Sequence, residues 1–372
     1  MSEHVKLSEV CEILNSNVDK KTKENEQKVK LCNFTDVYNN WAITKYTSKK
    51  FMKATATQNE INKFSLKKGY VAITKDSETK YDIGISTYIA DNFDNVLLGY
   101  HCTLLKPNQK VLNGKFLNAY LSSFYGRKYF SNCASGSGQR YTLTIDIIKD
   151  LTIPLINIET QQKIARTLSI LDQKIENNHK INELLHTLAY KVYEHYFKYK
   201  PKNAKLEQII IENPKSSIMV KNAQKTQDKY PFFTSGDNIL SYPKAIIDGR
   251  NCFLNTGGNA GIKFYVGKAS YSTDTWCICA NEFSDYLYLL LSSIKNHINQ
   301  SFFQGTSLKH LQKNLLKKYP IYMPSVHEIK KFNQIIMPLL SLISINTRIS
   351  KRLEQIRDFL LPLLLKQQVK PQ

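Results

Sequence analysis

The chain has 372 residues, of which 42% are hydrophobic, which is too long for a single core and predicts two or three domains. Lys and Arg number 52 against 31 Asp and Glu, and the resulting charge of +21 favours a polyanionic partner. No apolar run approaches roughly 18 residues, so a membrane-spanning helix is not expected. The seven cysteines form no Cys-x-x-Cys pair and no metal-binding spacing with His; without a secretory signal, they predict reduced thiols in the cytoplasm.

The positive charge is distributed unevenly along the chain. Residues 1–158 carry 22 basic and 15 acidic groups, and residues 200–325 carry 16 and 8, whereas residues 159–199 carry 6 and 5. We therefore expect a polyanion to contact residues 1–158 and residues 200–325. A basic surface that is merely solvated is the alternative that charge alone leaves open.

Residues 1–155 are predicted to form a mixed α/β domain. The run VKLSEVCEIL favours a short strand or helix, and the Lys-rich residues 19–30 favour an exposed loop. The runs YVAIT, IGISTYIA and NVLLGYHCTLL indicate strands, and LNGKFLNAYLSSFYGRKYF indicates an amphipathic helix. A glycine-serine loop, a helical turn and a final strand complete the domain.

Residues 156–200 are predicted to form a long helix with a seven-residue apolar repeat. The positions that would face a partner helix, called the seam below, include Ile164, Leu168, Leu171, Ile175, Asn178 and Leu185. No Gly or Pro interrupts the repeat, and Pro201 follows it. About 40 residues at about 1.5 Å each give a rod of about 60 Å.

Residues 201–325 repeat the order of the first domain. The run AKLEQII is similar to VKLSEVC, the runs NCFLN, IKFYVG and WCICA indicate strands, and SDYLYLLLSSIKNHINQSFF indicates a helix. The two domains match at their ends and differ in their middles, as one scaffold with two recognition surfaces would.

Residues 326–372 are predicted to form a second long helix, because the seam recurs 168 residues after the first. Its members include Phe332, Ile336, Leu339, Ile343, Asn346 and Leu353. Asn346 then matches Asn178, and an Asn in an apolar seam fixes the register through side-chain hydrogen bonds. Ser325 and Glu328 predict a capping box at the start, whereas Pro338 and Pro362 should kink or end the helix locally. Two ordinary core helices are the alternative.

The pattern as a whole predicts an α+β protein with an internal duplication, in the order domain, helix, domain, helix.

The sequence contains no good match to known catalytic motifs. Asn213-Pro214-Lys215-Ser216 lacks the second Pro and the aromatic residue of an amino-methyltransferase loop, and the Glu-x-Lys of residues 76–80 lacks the upstream Asp of a metal-dependent nuclease. The glycine-rich residues 135–138 lack the Gly-Lys-Ser/Thr of an ATP loop. The chain is therefore expected to bind rather than to catalyse, and to hold no metal.

The candidate contact residues lie in loops where basic, amide and aromatic side chains meet glycines. Such side chains can pair with base edges, and glycines let backbone N–H groups approach phosphate. In the first domain they are Ser137, Gln139, Arg140 and Tyr141; in the second they are Asn259, Lys263, Lys268, Gln304, Thr306, Ser307, Lys309 and His310. A solvated turn residue is the alternative for each.

The whole chain resembles the specificity (S) subunits of type I restriction–modification systems. The runs Thr160-Gln161-Gln162-Lys163-Ile164-Ala165, 168–172, 174–175 and 178–182 are similar to the central repeat of that family. They depart from it at Thr160, where a Glu usually precedes the Gln. Residues 327–332 and 357–362 are similar to the distal repeat, with Leu363 where Lys is common and Lys366-Gln367-Gln368 in place of a tail containing Gly.

The resemblance implies a non-catalytic reader of double-stranded DNA. Two target recognition domains would each read half of a split, asymmetric site from the major groove, and the two long helices would pack antiparallel as a coiled coil that sets the spacing. Two modification (methyltransferase) subunits would dock on the repeats, joined by restriction (translocase–nuclease) subunits. S-adenosylmethionine, ATP and Mg²⁺ would belong to those partners.

Three other functions stay open at this point. A modification-only system would use the same chain without a nuclease. A coiled-coil adaptor between proteins would bind in a salt-insensitive way, whereas phosphate neutralisation predicts a steep loss of affinity as salt rises. A self-sufficient enzyme would methylate or cleave DNA by itself, which we do not expect.

Overall fold

The computed structural model describes residues 3–137, 140–223, 229–236 and 238–368. The chain forms two compact units. Unit 1 comprises Met1–Asp172 and Ile356–Gln372, and unit 2 comprises Gln173–Gln355. Each unit contains strands, short helices and a part of each long helix, so the predicted mixed α/β composition is confirmed.

Unit 1 begins with a head of short strands and helices. Its strands are β1 (Glu3–Lys6), β2 (Cys11–Asn15), β3 (Gln27–Cys32), β4 (Ala42–Ile43), β5 (Met52–Ala56), β6 (Val71–Thr74), β7 (Asp76–Ser77), β8 (Ser86–Ile89), β9 (Val96–Leu98), β10 (Cys102–Pro107), β11 (Ser135–Ser137), β12 (Arg140–Thr142) and β13 (Thr152–Leu155). Its helices are α1 (Leu7–Val10), α2 (Phe34–Asn39), α3 (Gln58–Phe64), α4 (Gly114–Ser122), α5 (Phe124–Cys133) and α6 (Ile145–Lys149), with a 3₁₀ turn at Thr47–Lys50.

The central sheet of unit 1 has five strands in the order β2-β10-β6-β8-β4. Helix α4 covers it, and Phe116 and Leu117 are buried with Val71, Ile73 and Leu105 of the sheet in one core. Each such large apolar side chain contributes about 1.5–3 kcal/mol by leaving water. Three smaller sheets accompany it, in the orders β5-β3-β9, β11-β12-β7 and β1-β13.

Three local predictions for unit 1 were wrong. Residues 27–30 belong to strand β3, because Val29 is buried while its neighbours face outward. The predicted single helix at 112–130 is divided into α4 and α5 at Ser123, whose backbone is extended and whose hydroxyl donates to the carbonyl of Tyr120 at 2.6 Å. Residues 135–137 of the predicted glycine-serine loop form strand β11, which pairs antiparallel with β12.

Unit 2 repeats this organisation with fewer strands. They are β14 (Ala204–Lys205), β15 (Ile211–Glu212), β16 (Tyr230–Phe233), β17 (Leu240–Tyr242), β18 (Arg250–Asn255), β19 (Ile262–Val266), β20 (Ser270–Tyr271), β21 (Thr275–Cys279), β22 (Phe303–Gln304), β23 (His310–Leu311) and β24 (Pro320–Ile321). The long helices are α7 (Ile158–Tyr193), extended by a π turn at Glu194–Lys198, and α11 (Val326–Leu365). The others are α8 (Ser284–Ser293), α9 (Lys295–Ser301) and α10 (Lys313–Lys317), with 3₁₀ turns at Leu206–Gln208, Val220–Asn222 and Asn281–Phe283.

The main sheet of unit 2 has the order β15-β21-β18-β19, and a second sheet has the order β17-β16-β20. Helix α8 is buried along most of its length, and its Leu287 and Leu290 share one core with Leu254 and Ile278 of the sheet. Phe332 of α11 belongs to the same core. The long helices are therefore part of the hydrophobic core of unit 2.

The duplication is visible in how each head closes. In unit 1 the first strand pairs antiparallel with the last, with Val5 opposite Ile153. In unit 2, Ala204 opposes Ile321 in the pair β14–β24. Ile321 follows Ile153 by the repeat offset of 168, whereas Ala204 follows Val5 by 199. The second copy is therefore shorter between its first and last strands, which is why the middles of the domains do not align.

The start of helix α11 agrees with the sequence-based prediction, whereas its course through two prolines differs from it. The Ser325 N–H donates to the Glu328 carboxylate at 2.9 Å, and the Glu328 N–H donates to the Ser325 hydroxyl at 3.3 Å, so the predicted capping box is confirmed. Of the two outcomes predicted for Pro338 and Pro362, a local end of the helix is wrong, because α11 continues through both; a local kink stays a prediction.

Candidate nucleic-acid interface

Three of the contact residues predicted for the first domain lie on the strands of the hairpin β11–β12, namely Ser137, Arg140 and Tyr141. Gly136 opposes Tyr141, and a side chain at Gly136 would place its Cβ 2.1 Å from the Arg140 carbonyl oxygen, so the tight hairpin requires glycine there. Strand β12 also pairs with β7, with Tyr141 opposite Ser77. Gln139 and the side chain of Ser137 lie outside the described residues.

Arg140 is part of a polar cluster on this hairpin. Its guanidinium lies 3.4 Å from the Asp76 carboxylate and 3.2 Å from Nδ1 of His101, and that nitrogen lies 2.8 Å from the same carboxylate. The Asp76 side chain is only 15% exposed, whereas that of Arg140 is 59% exposed. A guanidinium has five N–H donors, so the partly buried carboxylate can orient Arg140 while other donors face solvent.

Two further groups border this cluster. The Lys75 ammonium lies 4.5 Å from the ring centroid of Tyr100, a cation–π contact next to His101. Tyr141 is half-buried and packs on the unit 1 core, so it presents only part of its ring to solvent. Asp76 and His101 were not singled out as contact residues in the sequence, because contacts between distant parts of the chain bring them to Arg140. The pairing of β7 with β12 brings Asp76, and a bond from the Lys75 N–H to the His101 carbonyl at 3.1 Å brings His101.

In unit 2 the hairpin β22–β23 carries most of the predicted contact residues. Gln304 opposes His310 in this short antiparallel pair, and Gly305 adopts a φ of +143°, which favours glycine at the turn. The predicted residues of this hairpin are all exposed, namely Gln304, Thr306, Ser307, Lys309 and His310.

The predicted glycine loop at 256–261 lies directly against this hairpin. The Gly258 N–H donates to the Lys309 carbonyl at 2.9 Å, and the Leu311 N–H donates to the Thr256 carbonyl at 3.0 Å. Gly258 has a φ of +79°, and no heavy atom lies within 4 Å of the place that a Cβ would occupy, so its backbone conformation rather than crowding favours glycine. Asn259 is exposed on the same loop.

The two lysines predicted beyond this loop have different surroundings. The Lys263 ammonium donates to the Thr234 carbonyl at 2.8 Å and approaches the Asn255 side-chain oxygen at 3.4 Å. It is half-buried and directed into unit 2 rather than to the surface that Lys309 occupies. Lys268 is exposed after strand β19.

The seam residues of both helices are buried to different degrees. Six apolar seam residues are buried, namely Ile164, Leu168, Ile175, Phe332, Ile336 and Ile343, and Asn346 is buried as well, with 8% of the residue exposed. Leu171, Asn178, Leu185, Leu339 and Leu353 are half-buried.

Hydrogen bonds between the two helices in unit 2 fix their register. The Asn178 amide donates to the Ser350 hydroxyl at 3.2 Å, and the Asn346 amide donates to Oδ1 of Asn182 at 3.0 Å. The residue numbers rise on one helix as they fall on the other, so the helices are antiparallel in this unit. Asn178 and Asn346, the matched pair of the sequence repeat, therefore bind one turn apart and not to each other.

In unit 1 the same two helices are joined by charge. The Arg357 guanidinium lies 3.3 Å from the Asp172 carboxylate and 4.3 Å from the ring centroid of Trp41. Burial raises the pKa of Asp172 to about 6, although the Arg357 charge acts to lower it. The sequence around Arg357 is largely apolar and does not indicate an ion-pair partner for it; in the structure that partner is Asp172.

Comparison with known proteins identifies the family. The chain matches the type I restriction modification DNA specificity domain over residues 2–187 and again over residues 200–355. The chain belongs to this family. Its resemblance to the specificity subunits of type I restriction–modification systems is thereby confirmed.

Individual members of the family are distant in sequence. The type I restriction enzyme HindI specificity subunit of Haemophilus influenzae is 30% identical over 136 residues, covering 36% of this chain but only 29% of that protein. The MjaIX specificity subunit of Methanocaldococcus jannaschii is 24% identical over 340 residues, covering 80% of this chain and 74% of that protein.

The crystal structure of a type I restriction–modification S subunit from M. genitalium shares the fold. It is 17% identical, with a TM-score of 0.53, and the alignment covers 98% of this chain and 96% of that one. The predicted fold class, an α+β specificity subunit with a duplicated recognition domain and long helices, is confirmed.

Other kinds of site find no support among the described residues. The structure places no group of three or more His, Cys, Asp or Glu side chains where they could hold a metal ion, counting residues 3–137, 140–223, 229–236 and 238–368. All seven cysteines are free, and burial raises the pKa of Cys11 to about 12. None of the described helices is both long and apolar enough to cross a membrane.

Proposed function

We propose that this chain reads the DNA sequence for a type I restriction–modification complex and performs no catalysis itself. The observation that carries the proposal is a pair of hairpins at equivalent places in the two sequence copies. β11–β12 precedes α6, β13 and α7; β22–β23 precedes α10, β24 and α11. Each hairpin presents an exposed basic side chain, Arg140 in one copy and Lys309 in the other.

The chemistry of these hairpins suits base edges. Arg can bridge the two acceptors of guanine, and Gln or Asn can pair with the donor and acceptor of adenine. Asp76 beside Arg140 would restrict the guanidinium to one orientation, which favours a bidentate contact over a diffuse attraction to phosphate. Gln304 and the hydroxyls of Thr306 and Ser307 would supply the corresponding donors and acceptors in unit 2.

Two recognition domains would read a split site, and the register of α7 against α11 would set the number of base pairs between its halves. The bonds Asn178–Ser350 and Asn182–Asn346 support a fixed register. DNA turns once in about 10 base pairs, so a change of one heptad in both helices should change the accepted spacer.

Docking of partner subunits is supported by an apolar face that the helices leave exposed in unit 2. Ile345 and Ile349 of α11 are 40% and 42% exposed, and Ile181 and Leu184 of α7 are 44% and 71% exposed. These residues flank the seam on the side where antiparallel helices bring their g positions together. We propose that two modification subunits dock on the helices and that restriction subunits join them. S-adenosylmethionine, ATP and Mg²⁺ would then be bound by those partners.

A domain exchange tests the proposal. Residues 204–318 are replaced by the corresponding domain of another family member, and methylated sites are mapped across the genome with the modification subunits present. We expect only one half of the methylated sequence to change, because the residues 1–155 domain is untouched. The unchanged parent and a strain lacking this chain serve as controls. A change in both halves, or in neither, would contradict the assignment of one half-site to each domain.

A protein–protein adaptor is the second candidate, and the exposed apolar face of the helices is the observation that favours it. It predicts that the purified chain binds a DNA duplex weakly and without a steep dependence on salt. DNA reading predicts the opposite, because each neutralised phosphate releases counterions. A titration of duplex DNA at several salt concentrations separates the two functions.

A further inference from the structure

A group of lysines lies on one face of the small sheet β5-β3-β9 in unit 1. Lys28 and Lys30 of β3 alternate with the buried Val29, so both lie on the opposite face of the sheet, where Lys28 is exposed and Lys30 is half-buried. In the pairing of β3 with β5, Lys30 is directly opposite Lys53. We call Lys28, Lys30 and Lys53 the basic face.

The basic face has an electrostatic cost in the free protein. Like charges directly opposite each other on neighbouring strands destabilise a sheet. Lys30 donates to the carbonyl of Ser48 at 3.1 Å, and that bond leaves its positive charge uncompensated. Among the described residues, none of the three lysines makes an ion pair.

The surroundings add to the positive charge. Ser48 lies in the 3₁₀ turn that also carries the exposed Lys49. Glu26 is an acidic group close to this face, but it accepts from the Thr55 hydroxyl at 2.7 Å and lies 3.7 Å from the Lys23 ammonium, so its charge is already paired. A sheet that keeps a repulsive pair of lysines on its surface is suited to an anionic partner.

The chain connects the basic face to the polar cluster around Arg140. The Thr55 N–H, opposite Lys28, donates to the Lys21 carbonyl at 3.4 Å. A few residues earlier, the Val18 carbonyl accepts from the N–H of Tyr100 at 2.9 Å, and Tyr100 precedes the His101 that contacts Arg140. One short segment, residues 18–21, therefore spans from the hairpin cluster to the basic face within unit 1.

We propose that the basic face binds the phosphodiester backbone of the DNA beside the bases that the hairpin β11–β12 reads; the inference rests on the proposed DNA-reading function. A lysine ammonium is a compact charge without the planar geometry of Arg, so it suits phosphate better than a base pattern. Lys28 and Lys30 are about 6.6 Å apart along the strand, which lets them engage separate phosphates. The face supplies affinity and orientation, whereas the hairpin supplies sequence preference.

The test compares two double variants of the full chain with equal change of charge. Lys28→Gln with Lys53→Gln removes two lysines of the basic face; Lys110→Gln with Lys163→Gln removes two exposed lysines elsewhere in unit 1. Binding to a fluorescein-labelled duplex of random sequence is measured by anisotropy from about 50 to about 300 mM NaCl, a range over which phosphate contacts change affinity strongly. Melting of each free variant is measured alongside.

We expect the slope of log affinity against log salt to become shallower by about 1.8 in the first variant, since each lost phosphate contact removes about 0.9. Its affinity at low salt should fall roughly tenfold or more, while its Tm rises because the repulsion between Lys30 and Lys53 is gone. The control variant should keep the parental slope. A purely structural role for the lysines would lower the Tm instead.

Each other outcome has a definite meaning. If the parent binds in a salt-dependent way and both double variants keep its slope, the basic face does not contact phosphate and the inference is wrong. If both lose the same amount, net charge alone acts and the inference is again wrong. If the parent itself shows no salt-dependent binding, the proposed DNA-reading function fails.

Discussion

Replacing Arg357 by Met should destabilise unit 1 in a pH-dependent way. Met keeps an apolar stem but removes the charge that faces Asp172 at 3.3 Å and the Trp41 ring at 4.3 Å. The Arg357 side chain is 13% exposed and that of Asp172 22%, so the pair is screened less than a surface ion pair. Breaking a fully buried pair costs about 3–5 kcal/mol; with this residual exposure, and about 1 kcal/mol for the lost cation–π contact, we expect about 2–3 kcal/mol at pH 7.

The pH dependence follows from the pKa of Asp172, which burial raises from 3.8 to about 6. Between these values the folded chain holds a proton that the unfolded chain has released. The free energy of unfolding therefore falls as pH rises from 3.8 to 6, by about 3 kcal/mol at about 1.4 kcal/mol per pH unit. The Arg357 charge lowers the pKa of Asp172, so the substitution Arg357→Met should raise that pKa further. The substitution should therefore lower the free energy of unfolding by about 1 kcal/mol at pH 5 and by more at pH 7.

Tryptophan fluorescence during urea unfolding can follow unit 1 alone. The chain has two tryptophans, so Trp276→Phe leaves Trp41 as the reporter. Asp172→Asn is the matched control: it should be more stable than the parent at pH 7, and in its background Arg357→Met should have the same cost at pH 5 and pH 7. Equal costs at both pH values without the control substitution would show that the carboxylate is not the partner that matters.

Three further predictions concern the helices and the hairpins. Asn182→Leu together with Asn346→Leu should raise the free energy of unfolding, measured in urea, by about 1 kcal/mol and should also allow other registers of the two helices. Light scattering should then detect mixed species; a single species with unchanged stability would contradict this. Glu328→Gln should lower the free energy of unfolding by about 1 kcal/mol at pH 7. Because the Ser325 N–H holds the pKa of Glu328 at about 2, this difference from the parent should shrink as pH falls below 4.5. A difference that stays constant down to pH 3 would refute the prediction. Arg140→Ala and Lys309→Ala should each weaken DNA binding about tenfold in anisotropy titrations, and unchanged affinity for both would exclude these hairpins as contact surfaces.

The long helices could be predicted because their signal is local and periodic. The capping box at Ser325 needs only four residues, and the seam needs only a seven-residue count. Pro338 shows where local reasoning fails. A proline inside a helix costs about 3 kcal/mol. However, Ile336 and Leu340 on either side of it are buried in the unit 2 core, and about 1.5–3 kcal/mol from each offsets that cost.

The surroundings of the contact residues could not be predicted, because they depend on pairing between distant parts of the chain. The pairing of β7 with β12 brings Asp76 and Arg140 together, and no local sequence pattern predicts that pairing. Lys263 was predicted to be a surface contact residue because it is basic and follows a glycine loop, but its ammonium donates to the Thr234 carbonyl inside unit 2. The repulsive pair Lys30–Lys53 likewise exists only in the register of β3 and β5.

The two hydrogen-bonded pairs at the centre of the helices explain how a duplicated sequence builds an antiparallel pair. Asn178 binds Ser350, and Asn346 binds Asn182. Adding the repeat offset of 168 to positions 178 and 182 gives positions 346 and 350, so each pair is the image of the other. An exchange of partners of this kind is what a two-fold axis between two copies of one helix requires. One residue inserted into either helix between its two polar positions would therefore shift one pair against the other, and no single register could satisfy both.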